Sequence, residues 1–390
     1  MAVDRRMILA GGAALAAFPA SARSDRLDIA TIDRHRILRA ASRYLVERPI
    51  TITAYPAERS PGTRHDYYSE GDYWWPDLAD PRGPYVRRDG YSNPARFDAH
   101  RQALIRLSVQ VPALVAAWRV TGDLRFARHA ERHLDAWFAT PATRMAPHLN
   151  HAQAIIGINT GRGIGVIDTL HLVEVARAIA VIDGVAPRRF RLKHGDAIRG
   201  WFRAYLTWLT TSGNGTDERD EENNHGSCWA LQAAEFARLV GDRQVRAFVR
   251  DRFRTRLIPD QIAPDGRQQL ELARTKPYSY SLFNLDVLAA LAHIASDEGD
   301  LWRFATPDGR SLAGALAFMV PYIADKSRWP YKPDVEYFDA LPVRQVALLF
   351  GGQALGRPDY LALWKRLNPD PQVPEIIRNF PLRQPLLWTV

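Results

Sequence analysis

A chain of 390 residues carries a single cysteine, Cys228, and so cannot close an internal disulfide. A packed core, not a covalent staple, has to hold it together. Alternating β-branched runs of strand length are scarce, apart from short pieces such as Pro49-Ile50-Thr51-Ile52-Thr53-Ala54, which leaves a mostly helical chain. Beyond the N-terminal stretch no segment reads as long and apolar enough to cross a bilayer, so membrane insertion is not expected. Metal ligands are missing as a set. His129 and His133 flank Glu131 with no third ligand and no His-Glu-x-x-His order; they read as surface histidines, and neither metal nor cofactor is expected. Acidic residues are in deficit, 43 against 52 Lys and Arg for a net charge of +9, which favours an anionic partner: nucleic acid, an acidic membrane surface or an acidic polysaccharide. The basic residues are dispersed, which weighs against nucleic acid. What is present is 46% hydrophobic content with 10% aromatics, enough to bury a large core and to exclude general disorder.

The first residues read MAVDRRMILAGGAALAAFPASARS. Arg5-Arg6 precede an apolar stretch from Met7 to Phe18 and a small-x-small site at Ala20-Ser21-Ala22. That is the pattern of a secretory signal, and the paired arginines resemble a twin-arginine signal. The stretch is well short of the roughly 20 residues that span a bilayer. The expectation is a signal peptide over 1–22, a mature chain from about Arg23, and a periplasmic or secreted protein. Removing Arg5, Arg6 and Asp4 lowers the charge by one, to +8.

Five places share one pattern of amphipathic run, Gly-containing turn and second amphipathic run. They centre on Gly122, Gly184, Gly241, Gly299 and Gly356, at spacings of 62, 57, 58 and 57 residues. Apolar positions recur at three and four, as in Leu124, Ala127, Ala130, Leu134 and Trp137. The pattern predicts a helix, a Gly C-cap and an antiparallel helix, repeated. Residues 23–390 are therefore expected to form one all-α domain of about six to seven helical hairpins, stacked as a solenoid or closed into an incomplete (α/α) toroid. Long Gly-, Pro-, aromatic- and His-rich segments separate the helices: Arg59 to Asn93, Ala142 to Gly165, Thr211 to Gly226, Gly266 to Tyr280 and Lys326 to Tyr337. Long connections in a compact domain are usually functional. Collected at one end of a toroid they make a cleft, which favours a toroid enzyme over a scaffold.

Four constellations could carry chemistry. The stretch EENNHGSCWA, Glu221 to Ala230, runs into the apolar LQAAEFARLV. A helix from about Cys228 to Val240 puts Asn224 and His225 at its N-terminus, where free N–H groups and the helix dipole favour a carboxylate; the plainer reading is that Asn224 only caps the helix. In LARTKPYSYSLFNLD, Pro277 pushes Lys276 out of helical geometry, so Arg274 to Ser279 should be a loop leading into a helix. Arg274, Lys276, Tyr278 and Tyr280 gather there, although both tyrosines also read as ordinary half-buried aromatics. Tyr73, Trp74 and Trp75 suit sugar-ring stacking, or else belong to a loop folded back on the core. His148, His151, Gln153 and Arg162 offer polar donors to the same cleft. The acidic run Asp217, Glu218, Asp220, Glu221 and Glu222 reads as a solvated loop, or as a glycosidase carboxylate pair.

Taken together, NNHGSCW, LARTKPYSYSLFNLD, DYYSEGDYWWPD with GPYVRRDG, and MAPHLNHAQAIIGINTGRGIGVID resemble the alginate lyase superfamily of (α/α)-toroid polysaccharide lyases acting on polyuronates. The resemblance spans roughly Tyr67 to Tyr337. It implies β-elimination, in which the C6 carboxylate of a uronate is neutralised so that the C5 proton can leave and the C4 oxygen be expelled. Asn224 and His225 map onto the neutralising pair, Arg274 onto the assisting arginine and Tyr280 onto the tyrosine that takes and returns the proton. A tyrosine needs a neighbouring cation to act as a base near neutral pH, a field that Arg274 and His225 are expected to supply. One tyrosine serves as both base and acid on D-mannuronate or D-glucuronate, where H5 and O4 share a face; L-guluronate would need a second group. The sequence departs from the better-known members, with Gly-Ser-Cys-Trp after the Asn-Asn-His and Tyr-Ser-Tyr-Ser around the catalytic tyrosine. That leaves Tyr278 a competitor to Tyr280 and alginate itself open. An acidic polysaccharide is the expected partner. The alternatives are an (α/α)-toroid glycoside hydrolase using carboxylates such as Asp217 and Glu222, and a non-catalytic binder of acidic polysaccharide.

Overall fold

The computed structural model describes residues 27–185, 190–296, 301–380 and 382–389. The expected signal peptide and the Gly299 turn lie outside the described residues. After α1 (Ile29–Tyr44), the chain makes its first hairpin from α2 (Ala99–Thr121) and α3 (Leu124–Leu134). Gly122 closes α2 at φ 74°, and Asp123 then caps α3 by accepting from the Arg125 N–H. A left-handed residue ends a helix cheaply only when it lacks a Cβ, and a carboxylate satisfies the free donors of the next helix. The same Gly-Asp device recurs between α7 (Asn224–Val240) and α8 (Arg243–Arg252), with Gly241 at φ 79° and Asp242 accepting from Val245.

Five successive helical pairs make up the ring among the described residues. They are α2–α3, α4 (Leu172–Val185) with α5 (Gly195–Thr211), α7–α8, α11 (Pro277–Ala295) with α12 (Leu312–Ala324), and α13 (Val346–Ala354) with α14 (Pro358–Arg366), although α5 packs on α7 and not on α4. Gly184 is not a C-cap: it lies inside α4. The first members pack in sequence as an inner layer, α2 on α4, α4 on α7, α7 on α11 and α11 on α13, while α3, α8, α12 and α14 pack outside their partners. The ring is an incomplete (α/α) toroid. Its gap is stitched by α1, whose Asp33 takes Arg36 and Arg344 at 2.8 Å each, and by the C-terminal turn Pro385–Leu387, which packs on α1, α2 and α4. Contrary to the sequence reading, α2 is long and apolar enough to cross a membrane; most of it is buried inside the ring instead.

The long connections collect at one end. Within them β1 (Tyr68–Glu70) pairs in parallel with β4 (His151–Ala154), while β2 (Trp74–Trp75) pairs with β3 (Val86–Arg87) antiparallel. Tyr68 faces His151 but Glu70 faces Ala154, so β4 carries one extra residue. Gln153, at φ 51°, absorbs it, a bulge that re-aims a side chain as bulges beside active sites do. Two of the connections are not plain loops: residues 211–226 hold the short helix α6 (Gly213–Asp220), and beyond the short α9 (Ile258–Gln261) residues 266–280 hold α10 (Gln269–Leu272).

His129 and His133 are buried, not on the surface. They meet edge to face, and His129 Nε2 lies 2.9 Å from the Glu47 carbonyl. Among the described residues no group of His, Cys, Asp and Glu could hold a metal ion.

Candidate active site

Two inner helices begin at the same cavity, and their N-termini are built differently. α7 starts at Asn224, four residues before the sequence reading put it, because Asn223 is the cap: its side chain accepts from the His225 N–H at 3.0 Å. Asn224 is therefore not the cap and is free to do other work. Its backbone N–H and its side-chain amide each donate to Glu271 at 2.8 Å, in a site where Asn224 is 2% exposed. One amide N–H remains for the cavity. The His225 ring turns Nδ1 to Glu218 Oε1 at 2.8 Å, which leaves Nε2 for the cavity. Glu218 is 0% exposed and so corrects the reading of its acidic run as a solvated loop.

The second helix, α11, opens with Pro277 in its first turn. Its free donors are capped from a distance by Asp334, which accepts from the Tyr278 and Ser279 N–H groups at 2.9 Å each. Position 280 then faces the cavity and position 278 the core. Tyr278 is 0% exposed and its hydroxyl donates to the Tyr322 carbonyl, so the expectation that it meets substrate is corrected. Tyr280 Oη lies 2.7 Å from Tyr73 Oη and 3.2 Å from the Arg274 guanidinium, which also stacks 4.3 Å over the ring. Arg274 is steadied by Asp89 at 3.1 Å, and Asp89 also accepts from Thr275.

The cavity between these helix ends has a volume of about 370 Å³. Asn224, His225, Arg274, Tyr280, Tyr73, Trp74, Gln153 and Arg162 all line it. Trp75, His148, His151, Lys276 and Tyr278, also expected at the substrate, do not line it. Trp75 stacks under Arg88, His148 pairs with Asp66, and Lys276 is buried against Glu336 at 3.0 Å. His151 lies on β4 outside the lining. Gln153 is held in its strained conformation by Asp168 and by two bonds from Arg162.

Sequence reasoning missed a buried ionic floor. Arg101 sits between Asp72 and Asp168 at 2.5 and 3.1 Å, and Arg378, at the end of α15 (Pro374–Arg378), pairs with the same Asp72 and with Glu375. Arg101 was visible only as a charge in the apolar run of α2; Arg378 carried no local signal. With Arg87 and Arg162 these cations make the inner cavity positive. Burial opposes the charge of Asp72, but its three arginine neighbours hold it far below the usual carboxylate range.

The titrating groups of the two walls differ. Burial pushes Tyr280 up and Tyr73 adds to this; Arg274 and Arg378 pull the other way without winning, so its hydroxyl stays well above its ordinary value. The expected lowering by neighbouring cations is thus present, from Arg274 and Arg378, but outweighed. Burial also opposes a charged His225, yet the charge and hydrogen bond of Glu218 lift the ring above its ordinary value. Burial raises Glu218 itself to about 7, against the pull of His225.

The arrangement offers hydrogen-bond donors on one wall, a hydroxyl with two polar partners on the other, and a basic floor between. The alginate lyase family matches residues 51–329. The fold of an alginate lyase from Bacteroides ovatus superposes with a TM-score of 0.79 at 30% identity, over 93% of this chain and 94% of that one. Alginate lyase A1-III from Sphingomonas species A1 is more distant, at 15% identity and a TM-score of 0.50 over 86% and 88% of the two chains. A tetrasaccharide complex of A1-III gives 0.53 at 14% identity over 84% and 85%, a likeness of fold. No curated protein sequence matches. Family, fold and cavity agree: the chain belongs to the alginate lyase family and is a polysaccharide lyase.

Proposed function

We propose that the protein cleaves β-1,4-linked D-uronans, of the poly-mannuronate or glucuronan type, by β-elimination. The observation that carries this reading is the convergence of Asn224, His225, Arg274 and Tyr280 on one cavity. A uronate whose C6 carboxylate meets the His225 ring and the spare Asn224 amide N–H loses much of its negative charge to donors already in place, and its C5 proton becomes removable. Tyr280, as phenolate, takes that proton. The C5–H electron pair becomes the C4–C5 double bond as the C4–O4 bond breaks, and the new phenol returns its proton to O4. Tyr73 and Arg274 are placed to stabilise the phenolate oxygen between these events, at 2.7 and 3.2 Å. Trp74, with Arg162 beside its ring at 5.8 Å, supplies a face for a neighbouring sugar. D-Mannuronate and D-glucuronate suit this arrangement because H5 and O4 lie on one side, within reach of one hydroxyl.

The leader reading places the reaction in the periplasm or outside the cell. Purified protein mixed with mannuronan, glucuronan or alginate is expected to raise the ultraviolet absorbance of a 4,5-unsaturated uronate end. Products with saturated ends, or binding without turnover, would replace this reading by the hydrolase or the non-catalytic binder.

A further inference from the structure

His225 has an unusual foundation. Glu218 reaches it from α6, and α6 comes that close only because three glycines stand at its contacts. A Cβ on Gly215 would lie 2.1 Å from the Leu209 carbonyl oxygen, one on Gly226 2.2 Å from that of Glu221, and one on Gly163 2.7 Å from the Asp217 Cβ. No side chain tolerates such approaches, so the backbone is committed to bringing one carboxylate behind one imidazole. Oε1 of that carboxylate faces Nδ1, while Oε2 is buried with no hydrogen-bond partner. A fully ionised carboxylate so placed is costly; one that shares a proton is less so.

We infer that Glu218 is a positioning residue that makes His225 an obligatory hydrogen-bond donor toward the cavity, by holding one shared proton between its carboxyl group and Nδ1. The inference rests on the lyase reading for its purpose but not for its geometry. Two arrangements of that proton exist. With the proton on the ring, Nδ1–H donates to an ionised Glu218 and Nε2–H faces the cavity. With the proton on Glu218, the carboxyl group donates to Nδ1, and the neutral ring again carries its hydrogen on Nε2. Both present a donor to a substrate carboxylate. Only when the pair loses the shared proton does Nε2 become a lone pair that repels the anion. Other charged groups acting on the pair are Glu221, Asp168 and Glu271, which favour retaining the proton, and Arg274 and Arg162, which favour its loss. Burial raises Glu218 to about 7 and Glu218 raises His225, so the donor state persists above the pH at which a solvated histidine, near 6.5, has lost its proton.

The test uses two readouts. In the full-length protein, ¹⁵N shifts of the His225 ring should show Nε2 protonated at about pH 7.5; an unprotonated Nε2 there overturns the inference whatever the enzyme acts on. In Glu218→Gln, which keeps the shape but cannot share a proton, the alkaline limb of kcat/KM on mannuronan or glucuronan should move down by about one pH unit or more, with KM rising more than kcat falls. Wild-type turnover combined with an unmoved limb in Glu218→Gln sinks the inference and leaves the lyase reading intact. Absence of wild-type turnover on every uronan sinks the lyase reading instead, and the nitrogen shifts still decide the proton. If Glu218→Gln fails to fold, the wild-type ring titration alone carries the decision.

Discussion

The N-termini of α7 and α11 face one cavity and solve the same problem in opposite ways. α7 is capped by its own preceding residue, Asn223, and each of its polar side chains is backed by a buried glutamate, Glu218 behind His225 and Glu271 behind Asn224. α11 is capped by Asp334, reached across more than fifty residues, and its cavity-facing group is a single hydroxyl held by Tyr73 and Arg274. The first wall is fixed, as the proposed reaction requires of donors that meet an anion without reorganising. In the elimination proposed above a proton leaves and returns on the second wall, and its oxygen sits among partners that can serve either state. Rigidity belongs to charge binding and versatility to proton transfer.

The largest effect that can break this contrast is at Tyr280. Tyr280→Phe should lower kcat by about 10³-fold with KM nearly unchanged, whereas Tyr278→Phe should lose only a buried hydrogen bond to Tyr322, about 1 kcal/mol of stability, and keep its turnover within a few-fold. Initial rates of ultraviolet appearance settle both; equal losses would erase the distinction between core and cavity tyrosines. Because burial holds the Tyr280 hydroxyl above its ordinary value, its phenolate accumulates only as pH rises. The acid limb of kcat/KM should therefore climb from neutral into alkaline pH, and a profile flat from about pH 6 to about pH 9 would contradict the tyrosine base.

On the other wall, His225→Ala and Asn224→Ala should each cost about 10²-fold or more in kcat/KM, as loss of a preorganised donor does. Asn224→Ala also strands Glu271 without the side-chain amide it accepts from, so it should lose stability as well as activity. The measurement is a kinetic comparison beside a denaturant midpoint. Intact turnover in both variants, with the fold kept, would return α7 to a plain helix cap.

Much of the hairpin plan was legible because its signals are local. Gly122-Asp123 and Gly241-Asp242 each end one helix and start the next within two residues. That Asn224, His225, Arg274 and Tyr280 sit near helix entries was legible because helix starts concentrate polar groups; that Tyr280 and not Tyr278 faces the cavity was not. The misses have other causes. Glu218 reads as one acid in a solvated run until the glycines bring α6 under α7, and Arg378 meets Asp72 across 306 residues. Asp334 caps a helix whose preceding residue, Lys276, has no capping side-chain bond. Pro49 to Ala54 looks like a strand fragment, but Thr51 accepts from Thr53 and winds Ile52–Ala54 into a 3-10 turn. Arg378 and Asp334 are decided by long-range partners that no window of the sequence contains; Glu218 lies only seven residues before His225, and the fold of α6, not distance, hides it.

The smallest effects separate the two caps. Asp334→Ala removes a buried acceptor of two N–H groups and should cost about 2 kcal/mol, with a several-fold loss in kcat because Tyr280 sits one turn into the helix it caps. Asn223→Ala removes one acceptor, of the His225 N–H, and should cost about 1 kcal/mol. The Asn223 carbonyl still accepts from the Gln261 amide at 3.0 Å in either variant, so the backbone that carries Asn224 keeps one anchor. For that reason Asn223→Ala should lower the denaturant midpoint while leaving kcat/KM within about two-fold, and Asn223→Gly should recover most of the stability, since glycine is a nearly competent cap. A ten-fold loss of kcat/KM in Asn223→Gly with stability restored would mean that the Asn223 side chain, which lines the cavity, touches substrate itself, and the donor wall would then extend one residue before the helix begins.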